Sequence, residues 1–335
     1  WRDHLDRTRR TLTQEPGTDP TPEGHRGVRR RTWLLGAVGL ALVICVGAAV
    51  VDLAAVNARI GHVSVSFPRD GPGTTYVIVG SDSRPAIPSG APEGIFGSPA
   101  AVPGHHADVV LVVHRVGSST SILSIPRDTL VSPSPGTFER LTLAFDDGPQ
   151  AVVDGLCRTL HITADHLVIV NFQGFSTIVD QLGGVTVDLP HPVRDAIASL
   201  LIARSGTVHL NGMEALALVR SRDPQWLVDG RWTTVPDGAN QRTEWAGKVF
   251  EAVLHAARHV GFDPIELQRL AWAVSGSLTT DSTTGLSSLW NLSRMSGDVR
   301  PLTESPLSNT LAVEPGASTF ATLAAVGFGR RCIPR

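Results

Sequence analysis

Lysine is nearly absent from this chain. Among 29 basic residues in 335, Lys248 is the single lysine. Arginine keeps its charge in any protein environment and presents a planar fork suited to carboxylate and phosphate. A cationic site here is therefore an arginine site. Excess charge is missing too. A formal net charge of −2 gives no broad attraction to nucleic acid, whose binding rests on neutralising many phosphates. Cysteine is scarce, with three in the chain. Cys45 lies in an apolar run, where it acts as a small hydrophobe. Cys157 and Cys332 lie far beyond it, and spacing alone leaves two readings for them, a disulfide or two buried thiols.

The chain does contain one long uncharged run. Thr32 to Val51 holds 20 such residues, about the length of helix needed to cross a bilayer core. Arg26, Arg29, Arg30 and Arg31 precede it and Asp52 closes it. Arginines at one end hold that end in the cytoplasm. The run is expected to be an uncleaved single-pass anchor, with the N-terminus inside and the bulk of the chain outside. A cleaved signal peptide is the competing reading, because Val56-Asn57-Ala58 offers small residues to a peptidase. A basic region of 31 residues is long for a signal peptide, however. The expected organisation is a disordered cytoplasmic tail over 1–31, a transmembrane helix over 32–54, a stalk over 55–73 and one extracytoplasmic domain over 74–335.

Within that domain, apolar β-branched runs at 75–80, 108–115, 120–125 and 166–170 read as strands buried on both faces, with another strand over 184–189. Helical periodicity covers 149–160, 175–182, 211–219, 241–259, 264–275 and 286–294. Asn211 and Glu214 have the spacing of an N-terminal capping box. The segment 84–105 is rich in Pro, Gly and Ala and reads as a long surface loop. This mixture predicts an α/β fold, a central, mostly buried mixed β-sheet flanked by helices in an αβα sandwich, preceded by one transmembrane helix.

Polar residues gather where strands end. Asp82 and Arg84 follow the first strand, Asp108 opens the second after His105 and His106, and Arg127 and Asp128 follow the third. Sheet ends are where α/β folds place ligands. Further on, Arg220-Ser221-Arg222 follows a helix. Residues two apart share no helix face but share a side of an extended segment, so the pair predicts a turn into extended chain with both guanidinium groups on one target. Arg140 and Arg242 extend the set. Two carboxylates with four or more arginines suit a pyrophosphate, with Mg²⁺ held by the two aspartates. Each of these residues taken singly is more often a solvated surface charge; the weight lies in their shared position.

In this order the residues resemble the LytR-CpsA-Psr family. The motifs are Gly80-Ser81-Asp82-Ser83-Arg84, Ala107-Asp108, Ser124-Ile125-Pro126-Arg127-Asp128 and Arg140-Leu141-Thr142-Leu143-Ala144-Phe145. Val179-Asp180-Gln181-Leu182-Gly183-Gly184-Val185, Leu210-Asn211-Gly212-Met213-Glu214-Ala215-Leu216 and Val219-Arg220-Ser221-Arg222 follow. The resemblance implies a central sheet flanked by helices, with an apolar pocket for a polyprenyl chain. It implies transfer of a glycopolymer from a membrane-borne polyprenyl-pyrophosphate carrier to peptidoglycan, with Mg²⁺ held by Asp82 and Asp108. Arg84, Arg127, Arg220 and Arg222 would contact the pyrophosphate and complete the catalytic set; His106, Arg140, Gln241 and Arg242 would bind substrate. The chain departs from the family pattern at His106, where arginine is usual, and at Thr142, where asparagine is usual. A third departure is 237–243, where an Arg-x-x-Arg-Gln type segment is usual. The arginine bias, with abundant Ala, Gly and Val, suggests a high-GC source of actinobacterial type. Two other functions remain open at this stage, a non-catalytic polyprenyl-pyrophosphate binding module and a polyprenyl-pyrophosphate hydrolase. Direct DNA contact has no support.

Overall fold

The computed structural model describes residues 25–68, 71–83, 105–236, 238–260, 264–329 and 332–334, with the backbone alone at 25–37, 239, 240 and 264. The chain divides into two compact units, Trp1–Leu53 and Ala54–Arg335. Helix α1 (His25–Arg59) supplies all the described structure of the first. Its Val38–Arg59 stretch has a mean hydropathy of 2.5, and by length and composition it can cross a membrane. Apolar side chains such as Val38, Leu42 and Val50 are exposed along it.

Helix α1 is longer at both ends than the uncharged run. It begins at His25, inside the segment expected as a disordered tail, and it continues to Arg59. Nor is 55–73 a free stalk. Val56 and Ile60 are buried in the second unit. Strand β1 (Gly61–Val63) pairs in parallel with the strand Leu278–Asp281. A three-residue strand has too little periodicity to stand out in sequence; its partner, more than 200 residues away, makes it a strand.

The second unit is built on β2 (Thr74–Ser81), β3 (Ala107–Val116) and β4 (Ser119–Ile125). The hairpin strands β5 (Leu130–Val131) and β6 (Glu139–Arg140) follow, then helices α2 (Leu141–Ala144) and α3 (Pro149–Leu160). Strand β7 (His166–Asn171), helix α4 (Phe172–Gln181), strand β8 (Val185–Leu189) and helix α5 (Gly212–Arg220) come next. Helices α6 (Gly238–His259), α7 (Pro264–Ser275), α8 (Leu286–Ser293) and α9 (Ala317–Ala325) complete the frame.

The main sheet has the order β1, Leu278–Asp281, β7, β2, β3, β4, Val299–Pro301. β2 is parallel to β7 and antiparallel to β3, so the sheet is mixed. Successive strand residues face opposite ways. Val77 and Val79 join Leu141, Val152, Leu156 and Leu323 in a core under α2, α3 and α9. Tyr76 and Ile78 join Leu254, Leu278 and Leu292 on the other face. That double burial is why the central strands read as unbroken apolar runs.

Two glycine motifs set the joints around α4 and α5. Gly183 and Gly184 both have positive φ, 79° and 93°, which glycine adopts without steric cost. They turn the chain from α4 into β8. A Cβ on Gly212 would lie 2.2 Å from the Ser176 carbonyl oxygen, so α5 approaches α4 only through glycine. The expected capping box is present: Asn211 Oδ1 accepts from Glu214 N, and Glu214 Oε2 accepts from Asn211 N. Cys157 in α3 is bonded to Cys332. Of the two readings open to these cysteines, the disulfide is the one the fold realises, and it ties the C-terminal segment to the core.

Candidate active site

The site lies where β2, β3 and β4 end beside one another. A register shift at Gly80/Ser81 sets Ser81 opposite Ala107. Asp82 and Asp108 thus follow a paired position on neighbouring strands. Asp82 N donates to the His106 carbonyl at 3.0 Å. Asp82 Oδ1 accepts from His106 N at 2.7 Å, and Oδ2 lies 3.2 Å from His106 Nδ1. On the far side of the ring, Nε2 is 3.6 Å from Asp146 Oδ2. His106 therefore sits between two carboxylates.

The arginines are joined into a ladder by Asp108 and Asp128. Arg127 Nη1 donates to Asp108 Oδ1 at 2.6 Å, and Arg222 Nη2 lies 3.7 Å from the same oxygen. Arg140 Nη1 donates to Asp128 Oδ1 at 2.9 Å. Asp128 Oδ2 faces Arg127 Nε at 3.5 Å and Arg242 Nη2 at 3.9 Å. Four guanidinium groups thus share two carboxylates, which leaves the ladder cationic. Arg242 is buried, and burial together with the Arg127 charge pushes its pKa down to about 10, still well above neutrality, so it keeps its proton. Thr142 N donates to the Arg127 carbonyl, which fixes the backbone of the strand end against α2.

Arg220 and Arg222 are held differently from the sequence expectation. Arg220 is the last residue of α5, so it lies in the helix, and the chain leaves the helix at the cap, Ser221. The Arg220 guanidinium lies 4.5 Å over the Phe172 ring. Phe172 follows Asn171, whose register partner is Ser81, so this stack borders Asp82. The turn is anchored by buried Asp195. Its Oδ2 accepts from Ser221 Oγ and from the backbone N of Arg222 and Asp223, while Oδ1 accepts from Ile197 N and Ala198 N. Burial opposes its charge, but these donors outweigh it and hold the carboxyl below its ordinary range.

Of the expected site residues, Asp108, Arg127, Arg140, Arg222 and Arg242 come together directly, with Asp82 and His106 beside them. Gln241 does not join: its Nε2 reaches Glu244 Oε2 in the same helix. Arg84 lies outside the described residues. Four residues that complete the arrangement were not singled out as site residues by sequence. Asp128 was visible in the Arg-Asp pair after the third strand. Asp146, Phe172 and Asp195 carried no local signal, because each meets its partner through the tertiary fold.

A cavity of about 10 Å³ opens behind the ladder, lined by Asp108, Arg127 and Arg242 with Val110, Ile125 and Ala246 among its apolar walls. That is room for about one water. A polyprenyl chain entering here would have to separate α6 from the sheet. Among the described residues, no three His, Cys, Asp or Glu side chains cluster as a metal site. Asp82 and Asp108 nevertheless fit Mg²⁺, which takes one or two carboxylates and completes its shell with phosphate and water oxygens. Each carboxylate oxygen offers two lone pairs, and Asp108 Oδ2 lies outside the ladder contacts.

Residues 52–303 match the LytR_cpsA_psr family. The chain belongs to that family. A LytR-Csp2A-Psr enzyme from Actinomyces oris has a similar structure, with a TM-score of 0.70 and 34% identity over 83% of this chain and 99% of that one. The probable cell wall biosynthesis protein LcpB of Corynebacterium glutamicum is 31% identical over 45% of this chain and 36% of its own length. The polyisoprenyl-teichoic acid–peptidoglycan teichoic acid transferase TagV of Bacillus subtilis is 30% identical over 34% of this chain and 31% of its own. The chain thus matches about a third of the length of these two curated relatives. Membership agrees with the expected αβα fold.

Proposed function

We propose that this LytR_cpsA_psr protein is a phosphotransferase that moves a glycopolymer from a polyprenyl-pyrophosphate carrier to peptidoglycan. The observation that carries the reading is the ladder of Arg127, Arg140, Arg222 and Arg242 on Asp108 and Asp128. Its surplus positive charge, preset at a sheet end, suits a pyrophosphate. Family membership and the activity by which TagV is named support the same substrate class.

In this mechanism an acceptor sugar hydroxyl attacks the phosphorus that bears the glycopolymer. The bond from that phosphorus to the bridging oxygen breaks, and polyprenyl phosphate leaves. Charge grows on the bridging oxygen as it leaves with the polyprenyl phosphate, where the arginines offset it without reorganising. Asp82 or Asp108 takes the hydroxyl proton. When bound, Mg²⁺ on these two aspartates would add further charge neutralisation. Arg220 is held by its stack on Phe172, and the Asp195 turn keeps Arg222 in place.

We also infer that α1 is a membrane anchor, with its arginine-rich N-terminal side cytoplasmic and the domain outside. The Cys157–Cys332 bond supports an oxidising compartment for the domain. The test is a full-length preparation supplied with lipid-linked glycan, Mg²⁺ and peptidoglycan fragments. Release of polyprenyl phosphate coupled to glycan attachment is expected. Phosphate release that is indifferent to the acceptor would point to hydrolysis. Retained lipid with no turnover would favour a binding module, a reading motivated by His106 standing between Asp82 and Asp146.

A further inference from the structure

Two exposed histidines meet near the C-terminal end of α6. The run His255-Ala256-Ala257-Arg258-His259 sets them four residues apart, which puts both side chains on one face of the helix. His255 Nε2 and His259 Nε2 lie 3.2 Å apart. The ring centres are 4.4 Å apart and the planes are inclined at 55°, so the rings lean their Nε2 edges toward each other. The backbone beneath them is fixed. Val260 N donates to the Ala256 carbonyl at 3.1 Å, and Leu254 is buried in the core with Ile122 and Val113. The intervening cation, Arg258, lines a neighbouring groove with Glu251 and Asp298. Among the described residues, neither imidazole has another side-chain partner.

We propose that His255 and His259 form a binding site for a divalent transition-metal ion of the kind that prefers imidazole, Zn²⁺ or Cu²⁺. Two nitrogens bound at about 2.0–2.1 Å to one tetrahedral ion stand about 3.3–3.4 Å apart, close to the separation found here. A histidine pair four apart on a helix is also how zinc hydrolases present two of their ligands. In those enzymes a glutamate follows the first histidine as general base. Here that position is Ala256, so the pair binds an ion without a base beside it. Two protein ligands leave the rest of the shell to water, and water also solvates the far ring nitrogens. The site is therefore exchangeable, unlike a structural zinc centre with four protein ligands.

This site is separate from the arginine ladder in place and in chemistry. Roughly 20 Å along the axis of α6 separates Arg242 from His255. Imidazole selects Zn²⁺, Cu²⁺ and Ni²⁺, whereas carboxylate suits Mg²⁺, so the pair does not compete for the ion that Asp82 and Asp108 would hold. An ion on His255 and His259 clips the last turn of α6, the part of a helix that frays first. It also places positive charge at a helix C-terminus, where the macrodipole favours it. Its effect is on the order of this turn, and the inference stands apart from the transfer reaction.

The experiment uses the full chain in detergent, purified through a tag without histidine and kept in excess Mg²⁺. Zn²⁺ is followed by calorimetry and Cu²⁺ by electron paramagnetic resonance. One Zn²⁺ per chain is expected, with slower deuterium exchange at 256–260, and the Cu²⁺ spectrum should show coupling to two imidazole nitrogens. His255→Gln and His259→Gln should each weaken Zn²⁺ binding by an order of magnitude and remove the two-nitrogen signal. Glutamine is a good helix former, so both variants keep α6. Zn²⁺ binding that survives both substitutions and is lost in His106→Gln assigns the ion to the carboxylates around His106 and overturns the inference. Half an equivalent of Zn²⁺ with a doubled mass in sedimentation assigns the histidines to an interchain site and overturns the single-chain reading. Absence of saturable Zn²⁺ uptake leaves the contact as an N–H···N hydrogen bond and overturns the inference as well.

Discussion

At the functional end of the central sheet, Asp108 and Asp128 are held by arginines. At the opposite end, fully buried Asp281 is held by neutral donors: the backbone N of Leu167, Thr283 and Thr284, and the hydroxyls of Thr283 and Thr284. Asp165 does the same for Thr75 N, and the Thr75 hydroxyl pairs with His114. The two arrangements do different things. Backbone and hydroxyl donors satisfy a carboxylate locally and add no charge, so that end is closed and structural. Arginines bring more charge than the carboxylates consume. The remainder is available to an anionic ligand, and Asp108 and Asp128 act as spacers that keep four like charges in place before it arrives.

The largest expected effect is at Arg127, which touches both spacer carboxylates. Arg127→Ala should lower polyprenyl phosphate release by about a hundredfold or more, the scale of losing one transition-state donor, with little change in thermal midpoint. Asp281→Ala should invert this pattern. It leaves several buried donors without a partner and should cost about 3–4 kcal/mol in denaturant unfolding, while the folded fraction keeps its turnover. If both substitutions move activity and stability together, the division between the two ends fails.

Asp281 also sets a pH dependence. Burial opposes its charge, but the donors from Leu167, Thr283 and Thr284 prevail and its pKa falls below the usual carboxylate value. Its stabilising contribution is present above that value and is lost as pH falls through and below it. The Asp281→Ala variant should show a shallower acid loss than the parent chain.

Opening the Cys157–Cys332 bond with Cys332→Ser should cost about 2–3 kcal/mol and leave turnover unchanged, because it ties α3 to the C-terminal segment away from the ladder. The smallest effect tests the functional end for a stability cost of its own. Glu304 accepts a 2.6 Å hydrogen bond from Thr129, next to Asp128, and its Oε1 is buried without a partner. Burial pushes its pKa up to about 8. A raised carboxyl pKa favours the folded state at low pH and loses that benefit as pH rises from its ordinary value of 4.5 to about 8. Glu304→Gln should flatten the thermal midpoint across this window and raise it slightly at pH 8.

Much of the frame is legible in the sequence. The runs around Val77, Val110 and Leu123 read as strands because both faces of the sheet are covered, and α3, α5, α6 and α8 showed their periodicity and, for α5, its cap. The strand-end positions of Asp82, Asp108 and Arg127 were legible for the same reason. Short edge strands such as β1 and Val299–Pro301 were not, since long-range pairing alone makes them strands. Segment 55–73 read as a stalk because its few apolar residues, Val56 and Ile60 among them, show no pattern until the domain packs on them.

By itself the amino-acid sequence determined the chemistry available: arginine as the cation, aspartates at strand ends, and one long uncharged helix. Local periodicity and residue type suffice for these. Only the tertiary structure decided which aspartates hold which arginines and that His106 lies between two carboxylates. It also decided that Arg220 stacks on Phe172 while Arg222 reaches Asp108, and that Gln241 turns to Glu244. Those pairings depend on contacts between residues tens to more than a hundred positions apart, or on rotamers chosen by packing, and neither leaves a mark on neighbouring sequence.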